Sequence, residues 1–186
     1  MAAVRAAQAR GVSVSAEVSP HHLCLTDDTV LTLDTNRKMN PPLRSEDDRQ
    51  ALLDGLRDGT IACIATDHAP HARHEKDAPF EEAPFGVTGL ETAFAAIYTH
   101  LVEPGQLDLG LVLERMSAGP ARIFGLPVPR IEVGESANLV LLDLDATWTV
   151  TEDRFASKSV NSWLLGETLT GTVVKTIADG RVVYAA

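Results

Sequence analysis

The alternation of apolar and polar positions changes period along this 186-residue chain. An alanine-rich stretch, Ala2 to Arg10, stops at Gly11 and predicts the end of a helix with the glycine at C′. Val12, Val14, Ala16 and Val18 then fall on one side of a predicted strand that Pro20 ends. Leu25 to Asn36 is a polar excursion with room for one short helix, and Pro41-Pro42 after Asn40 forbid regular structure. Ser45 reads as an N-cap, Glu46, Asp47 and Asp48 place negative charge on the helix's positive end, and Gly59 closes it. Leu52, Leu53 and Leu56 supply the buried stripe of that helix.

Ile61 to Thr66 is an unbroken run of small and β-branched residues. It predicts a strand covered on both faces, as in a parallel α/β sheet. A long, proline-bearing loop follows from Asp67 to Val87, and loops of that length inside a compact domain are usually functional. Helical spacing of Leu90, Ala93, Phe94, Ile97 and Leu101 predicts a helix over Thr88–Val102. Leu109–Ser117 and Pro120–Phe124 predict two shorter ones, the second with Pro120 at N1. Near Gly125–Pro129 the period drops from about 3.6 to 2. Ala137–Leu144 and Gly171–Tyr184 read as strands, with Asp179-Gly180 turning a hairpin between Val173–Ala178 and Val182–Tyr184. The expected division is therefore residues 1–127, an α/β part, and residues 128–186, a small β-rich, sandwich-like part.

Composition narrows the class. With 45% hydrophobic residues and a mean hydropathy of +0.01, the chain reads as globular and large enough for an ordinary core. A formal net charge of −10 argues against nucleic acid or an anionic membrane as partner. No apolar run reaches the roughly 18 residues of a membrane span, and the first residues are too short and too charged for a signal peptide. Cys24 and Cys63 lie far apart without CxxC spacing, which points to a reducing cytoplasm and away from a thiolate metal site.

The chemistry concentrates where Ile61–Thr66 runs into Asp67-His68-Ala69-Pro70-His71. In α/β folds the C-terminal ends of strands carry ligands and catalytic groups. A carboxylate there can ligate a divalent metal through one oxygen while the other takes a proton from bound water. The competing reading of Asp67 is a loop cap beside two solvated histidines. His71 can donate to a substrate carboxylate or bond its own backbone. His68 reads as a partner that orients the loop or Asp67, and His74 as solvated. His21 and His22, at the end of the preceding strand, look like ligands by position. The Asn40 amide can both donate and accept, or form a turn before Pro41. Arg44 reads as pairing with local acids, and His100 as a surface residue. Phe85-Gly86 permits close approach of backbone to a ligand, or is simply a hydrophobic turn.

Thr66-Asp67-His68-Ala69-Pro70-His71, Glu17-Val18-Ser19-Pro20-His21-His22-Leu23 and Asn40-Pro41-Pro42-Leu43-Arg44 together resemble the dihydroorotase branch of the cyclic amidohydrolases. The motifs occur in the family's order, and the likeness runs nearly the whole chain but only through the latter half of the family's usual sequence. It implies the C-terminal portion of a metal-dependent hydrolase (β/α)8 barrel followed by the β-rich segment. It implies reversible hydrolysis of (S)-dihydroorotate to N-carbamoyl-L-aspartate in pyrimidine synthesis, with Asp67 as zinc ligand and general base. Asn40, His71, Phe85 and Gly86 take the substrate-binding positions, while His21 and His22 take structural ones. Asn161-Ser162-Trp163-Leu164 departs from the family's pattern at Trp163 and Leu164, a matter of packing.

The family's two-zinc centre also needs a His-x-His motif, a bridging Asp or carboxylated Lys, two further histidines and a substrate-binding arginine, which these residues lack. Of the metal set only Asp67 is present, and catalytic zinc sites use about three protein ligands. The expectation is a truncated gene product, a fragment or half of a split enzyme, completed by an N-terminal half. The alternatives are an inactive subunit that supports aspartate transcarbamoylase by contact, or an allantoinase or hydantoinase on the same scaffold.

Overall fold

The computed structural model describes residues 1–186. Helix α1 (Ala2–Ala9) ends at Arg10, and Gly11 follows at φ +77°, the left-handed turn expected of a glycine after a helix. The chain then extends into β1, which pairs only over Glu17–Val18. Its partner β2 is Cys63–Ile64, parallel, in the register Glu17↔Cys63 and Val18↔Ile64. Single bonds from Ala62 N–H to Ala16 O (2.9 Å) and from Ala65 N–H to Val18 O (3.0 Å) extend the pairing. Both strands are thus much shorter than the sequence predicts. Val12 and Val14 stay 50% and 39% exposed because no strand of this chain lies on their other side.

Pro20 opens a short helix α2 (Pro20–Cys24), taking the first position where a missing N–H costs nothing. Two 3-10 turns, Asp27–Thr32 and Thr35–Arg37, fill the polar excursion, and the Asn40–Pro41 peptide is cis. Helix α3 (Glu46–Asp58) is capped as expected: Ser45 Oγ accepts from Asp48 N–H (3.3 Å), and Gly59 closes it at φ +83°. It buries Leu53 and Leu56 completely against Val18, Leu23, Ile61 and Ile64. The long loop contains one helical turn, α4 (Arg73–Lys76).

Three helical expectations change. The Thr88–Val102 helix begins only at α5 (Ala93–Ile97), because Gly89 and Leu90 donate their N–H groups to the His68 ring instead. Leu90, expected in its buried stripe, is 62% exposed. The helix then widens into a π turn over Tyr98–Val102. There Thr99 Oγ accepts from Thr170 N–H (2.8 Å) and donates to Thr170 O (3.2 Å), standing in for a strand neighbour. After α6 (Leu109–Met116), helix α7 starts at Ala118, so Pro120 is its third residue rather than its first.

The C-terminal residues form an antiparallel sheet in the order β3 (Leu139–Thr149), β4 (Thr168–Ala178), β5 (Arg181–Ala185). Asp179 and Gly180, both at positive φ, make the β4–β5 turn that their sequence predicts. Strand β3 runs five residues beyond Leu144, past a bulge in which Asp143 Oδ1 accepts from the N–H groups of Asp145 and Ala146. A second apolar core joins Met39, Leu43 and Val87 to Val150, Leu164 and Leu169, so residues on both sides of Val128 share one packed interior. The architecture is mixed α/β, and the parallel pair does not close into a barrel. No helix is long and apolar enough to cross a membrane.

Candidate functional site

Asp67 follows β2 at the C-terminal end of the parallel pair, in a left-handed backbone conformation (φ +49°) uncommon for a residue with a Cβ. Its carboxylate is half exposed and its Oδ2 lies 3.8 Å from Nε2 of the buried His21. Burial, reinforced by His22, pushes the His21 imidazole down to about 3, so it is neutral at physiological pH. Its Nε2 has no hydrogen-bond partner, an orphan polar atom beside the carboxylate. His22 is committed elsewhere. Its Nε2–H donates to Pro41 O (2.9 Å), because a carbonyl can only accept, and its Nδ1 accepts from Ser19 Oγ–H (2.6 Å). That bond ties the Asn40–Pro41 turn to α2. Ser19, His22, Pro41, Arg44 and Asp67 line one cleft of about 460 Å³. Asn40 itself is exposed, and Arg44 pairs with Asp48 (3.6 Å), the local acid its surroundings suggested.

The other expected residues gather farther along the loop. His71 Nε2–H donates to Phe85 O (2.9 Å), and its Nδ1 lies 3.8 Å from Glu75 Oε2. Gly86 is at φ +121°, and a Cβ there would fall 2.7 Å from Ala69 Cβ and 3.2 Å from His71 Nε2. A glycine is therefore required for His71 to meet Phe85. Gly86 N–H donates to Lys38 O, and Gly86 O accepts from Lys76 Nζ (3.0 Å) and Asn161 Nδ2 (3.2 Å). Phe85 N–H alone in this pair of peptides has no partner within the protein. The Phe85 side chain lines a second cleft with Leu31, Leu33 and Phe80, apart from the one that Asp67 lines.

Pattern reading missed several of the groups that hold this loop. Lys38 and Lys76 are buried without a carboxylate partner. Lys38 Nζ donates to Phe80 O (2.6 Å) and Glu81 O (3.0 Å) and sits over the Phe80 and Phe85 rings. Lys76 Nζ donates to Pro84 O and Gly86 O, both at 3.0 Å; burial and the nearby Lys38 charge push it down to about 8. A lysine in a charged loop carries no periodic signal that would place it inside. His68 orients the loop rather than Asp67. Its Nδ1 accepts from Gly89 and Leu90 N–H (3.1 and 3.2 Å), which leaves the proton on Nε2 to donate to Ser157 Oγ (3.2 Å). His74 is exposed, as expected. His100 is not a surface residue: it is half buried, 3.5 Å from Glu167 and beside the Trp163 ring.

A metal would find few donors here. No group of three His, Cys, Asp or Glu side chains is placed to hold one. Asp67 and the orphaned His21 nitrogen make two donors at most, short of the roughly three that catalytic zinc requires. The residues of this chain do not by themselves fit the metal.

A profile described as the amidohydrolase family matches residues 2–183. The chain is 50% identical over 181 residues to a dihydroorotase of Listeria monocytogenes and 48% identical over 181 residues to one of Bacillus subtilis. In each case the match takes 97% of this chain and 42% of the relative, whose C-terminal part it corresponds to. Among solved structures, an L-hydantoinase (dihydropyrimidinase) from Arthrobacter aurescens superposes with a TM-score of 0.87 at 31% identity. A D-hydantoinase (dihydropyrimidinase) from Thermus sp. does so at 0.85 and 28%. Each superposition covers 98% of this chain and 42% of the other.

Proposed function

This chain belongs to the amidohydrolase family, and from that premise we propose that it is the C-terminal part of a dihydroorotase, acting in the reversible hydrolysis of (S)-dihydroorotate to N-carbamoyl-L-aspartate. The observation that carries the reading is the half-exposed Asp67 carboxylate at the tip of a parallel strand, in a chain half identical to dihydroorotases. The β1–β2 pair is then two strands of a (β/α)8 barrel whose other strands lie outside these residues. In this reading residues 128–186 are the sandwich-like unit that follows the barrel, supported by the antiparallel sheet β3–β5.

Asp67 takes the proton of the attacking water and returns it to the leaving ring nitrogen, a transfer that the neutral His21 at 3.8 Å does not compete for. Asn40, exposed on the turn that His22 ties beside the cleft, reads the ring amide through its own amide. With Nε2–H engaged with Phe85 O, His71 can donate to the substrate carboxylate only from a protonated Nδ1, in the imidazolium form, and Phe85 N–H is the free backbone donor of the Phe85–Gly86 turn. A divalent metal such as zinc, when bound in a complete site, would polarise the amide; Asp67 would offer it a single ligand, with the others to be supplied by residues that this chain does not hold. The two free cysteines suit a reducing cytoplasm.

The likeness to hydantoinases at TM-scores of 0.87 and 0.85 favours a second reading, another cyclic amidohydrolase. The lack of a three-donor cluster favours a third, a non-catalytic subunit that supports aspartate transcarbamoylase. A chimaera in which this chain replaces the matched C-terminal part of the Listeria monocytogenes enzyme separates them. Turnover of dihydroorotate above hydantoin and allantoin supports the proposal. Preference for hydantoin, or no turnover of any of the three, refutes it.

A further inference from the structure

One short segment from beyond Val128 grips both limbs of the Asp67–Val87 loop. Asn161, 5% exposed, uses every polar atom of its side chain. Its Oδ1 accepts from His71 N–H (3.0 Å) and Ser159 Oγ–H (2.8 Å), and its Nδ2 donates to Ala69 O (3.1 Å) and Gly86 O (3.2 Å). Its main-chain oxygen accepts from Thr88 N–H (2.9 Å). The single Ser159 Oγ–H proton is shared between Asn161 Oδ1 and His71 O, while Ser157 Oγ receives the His68 Nε2–H and donates to Glu91. No side chain other than an amide could accept twice on one atom and donate twice from the other in this geometry.

We propose that Ser157–Asn161 is a positioning clamp for the substrate-binding loop, with Asn161 as the residue that sets His71 in register with Phe85–Gly86. The functional reading supplies the loop's role, and the clamp adds residues to it that touch no substrate. Asn161 bridges Ala69–His71 to Gly86–Thr88, two stretches that otherwise meet through the Ala69 N–H bond to Val87 O and the His71 bond to Phe85 O. A loop with one clamp fewer opens locally while the cores stay closed, because neither core is built on the Asn161 side chain. A relay to the Asp67 proton is excluded by the His68 tautomer, whose two ring nitrogens are both used on the Gly89–Leu90 turn and Ser157.

The test is amide hydrogen exchange of the purified protein carrying Asn161→Ala or, as a milder change, Ser157→Ala. Asn161→Ala is expected to speed exchange at His71 N–H about tenfold or more, with Leu53 and Leu56 in α3 unchanged. Ser157→Ala is expected to do the same at Gly89 and Leu90 N–H, whose acceptor His68 loses its anchor. Exchange at those amides equal to that of the parent protein overturns the clamp, as does acceleration only in step with α3 in both variants. In the complete enzyme, Asn161→Ala is expected to raise KM for dihydroorotate about tenfold while kcat falls less than about threefold, since Asp67 is untouched; a loss confined to kcat overturns the assignment to positioning. A parent enzyme without dihydroorotase turnover refutes the functional reading alone, and the exchange rates still decide the clamp.

Discussion

Replacing Gly86 by alanine should damage the loop through two separable costs. The residue sits at φ +121°, outside the regions open to side-chain-bearing residues, and holding one there costs about 1–3 kcal/mol. The added Cβ would lie 2.7 Å from Ala69 Cβ, an overlap that a rigid methyl cannot swing away from, worth about another 1–3 kcal/mol. The peptide cannot retreat, because Gly86 N–H is tied to Lys38 O and Gly86 O to Lys76 and Asn161. Their sum, centred at about 4 kcal/mol, lowers the midpoint of thermal unfolding by roughly 8–16 °C in a chain of this size. The pair Gly86→Ala with Ala69→Gly removes the overlap and leaves the backbone strain, so it should recover part of the loss, less the ~0.5–1 kcal/mol that a new glycine costs by loosening the unfolded chain. Calorimetry on the parent, both single variants and the double variant reads each cost. A Gly86→Ala midpoint within about 1 °C of the parent refutes the reasoning outright.

Other outcomes follow from the same contacts. Lys76 titrates near 8 when folded and at 10.5 in the open chain, so between those values the unfolded state holds the extra proton and stability rises with pH. Urea unfolding at about pH 7 and about pH 10 should show that rise in the parent and not in Lys76→Met; equal slopes contradict the burial of the ammonium. Thr99→Val strips Thr170 of both its partners and should cost about 1–3 kcal/mol in urea, where a loss under ~0.5 would argue against the docking of the π turn on β4. Ser45→Ala removes the cap of α3 and should cost about 1 kcal/mol by the same measurement, with no change in any catalytic constant.

Local punctuation was legible in the sequence wherever one residue decides the backbone. Gly11, Ser45, Gly59 and the Asp179-Gly180 turn stand where their chemistry predicts. Strand lengths were not, because Val12–Val18 and Ile61–Thr66 read as full strands from their apolar pattern, while pairing needs neighbours that these residues do not include. The start of α5 was hidden by a competitor outside the pattern: the His68 ring takes the Gly89 and Leu90 amides and delays the helix. For the site, its place at a strand end singled out Asp67, and the family resemblance singled out Asn40, His71 and Phe85–Gly86; the structure brings His71 and Phe85–Gly86 into contact while Asp67 opens on a separate cleft. The residues that hold the loop were illegible for a common reason. Lys38, Lys76 and Asn161 bond main-chain oxygens, and main-chain acceptors leave no trace in a sequence.

Dihydroorotase chemistry in this chain depends on the carboxylate at the tip of β2. Turnover of dihydroorotate by the chimaera carrying this chain, measured with Asp67 intact and with Asp67→Asn, tests it most directly. Measurable turnover is expected in the first and a loss of roughly a hundred- to ten-thousand-fold in kcat in the second, the range for removing a general base. Equal turnover with asparagine at that position would contradict it.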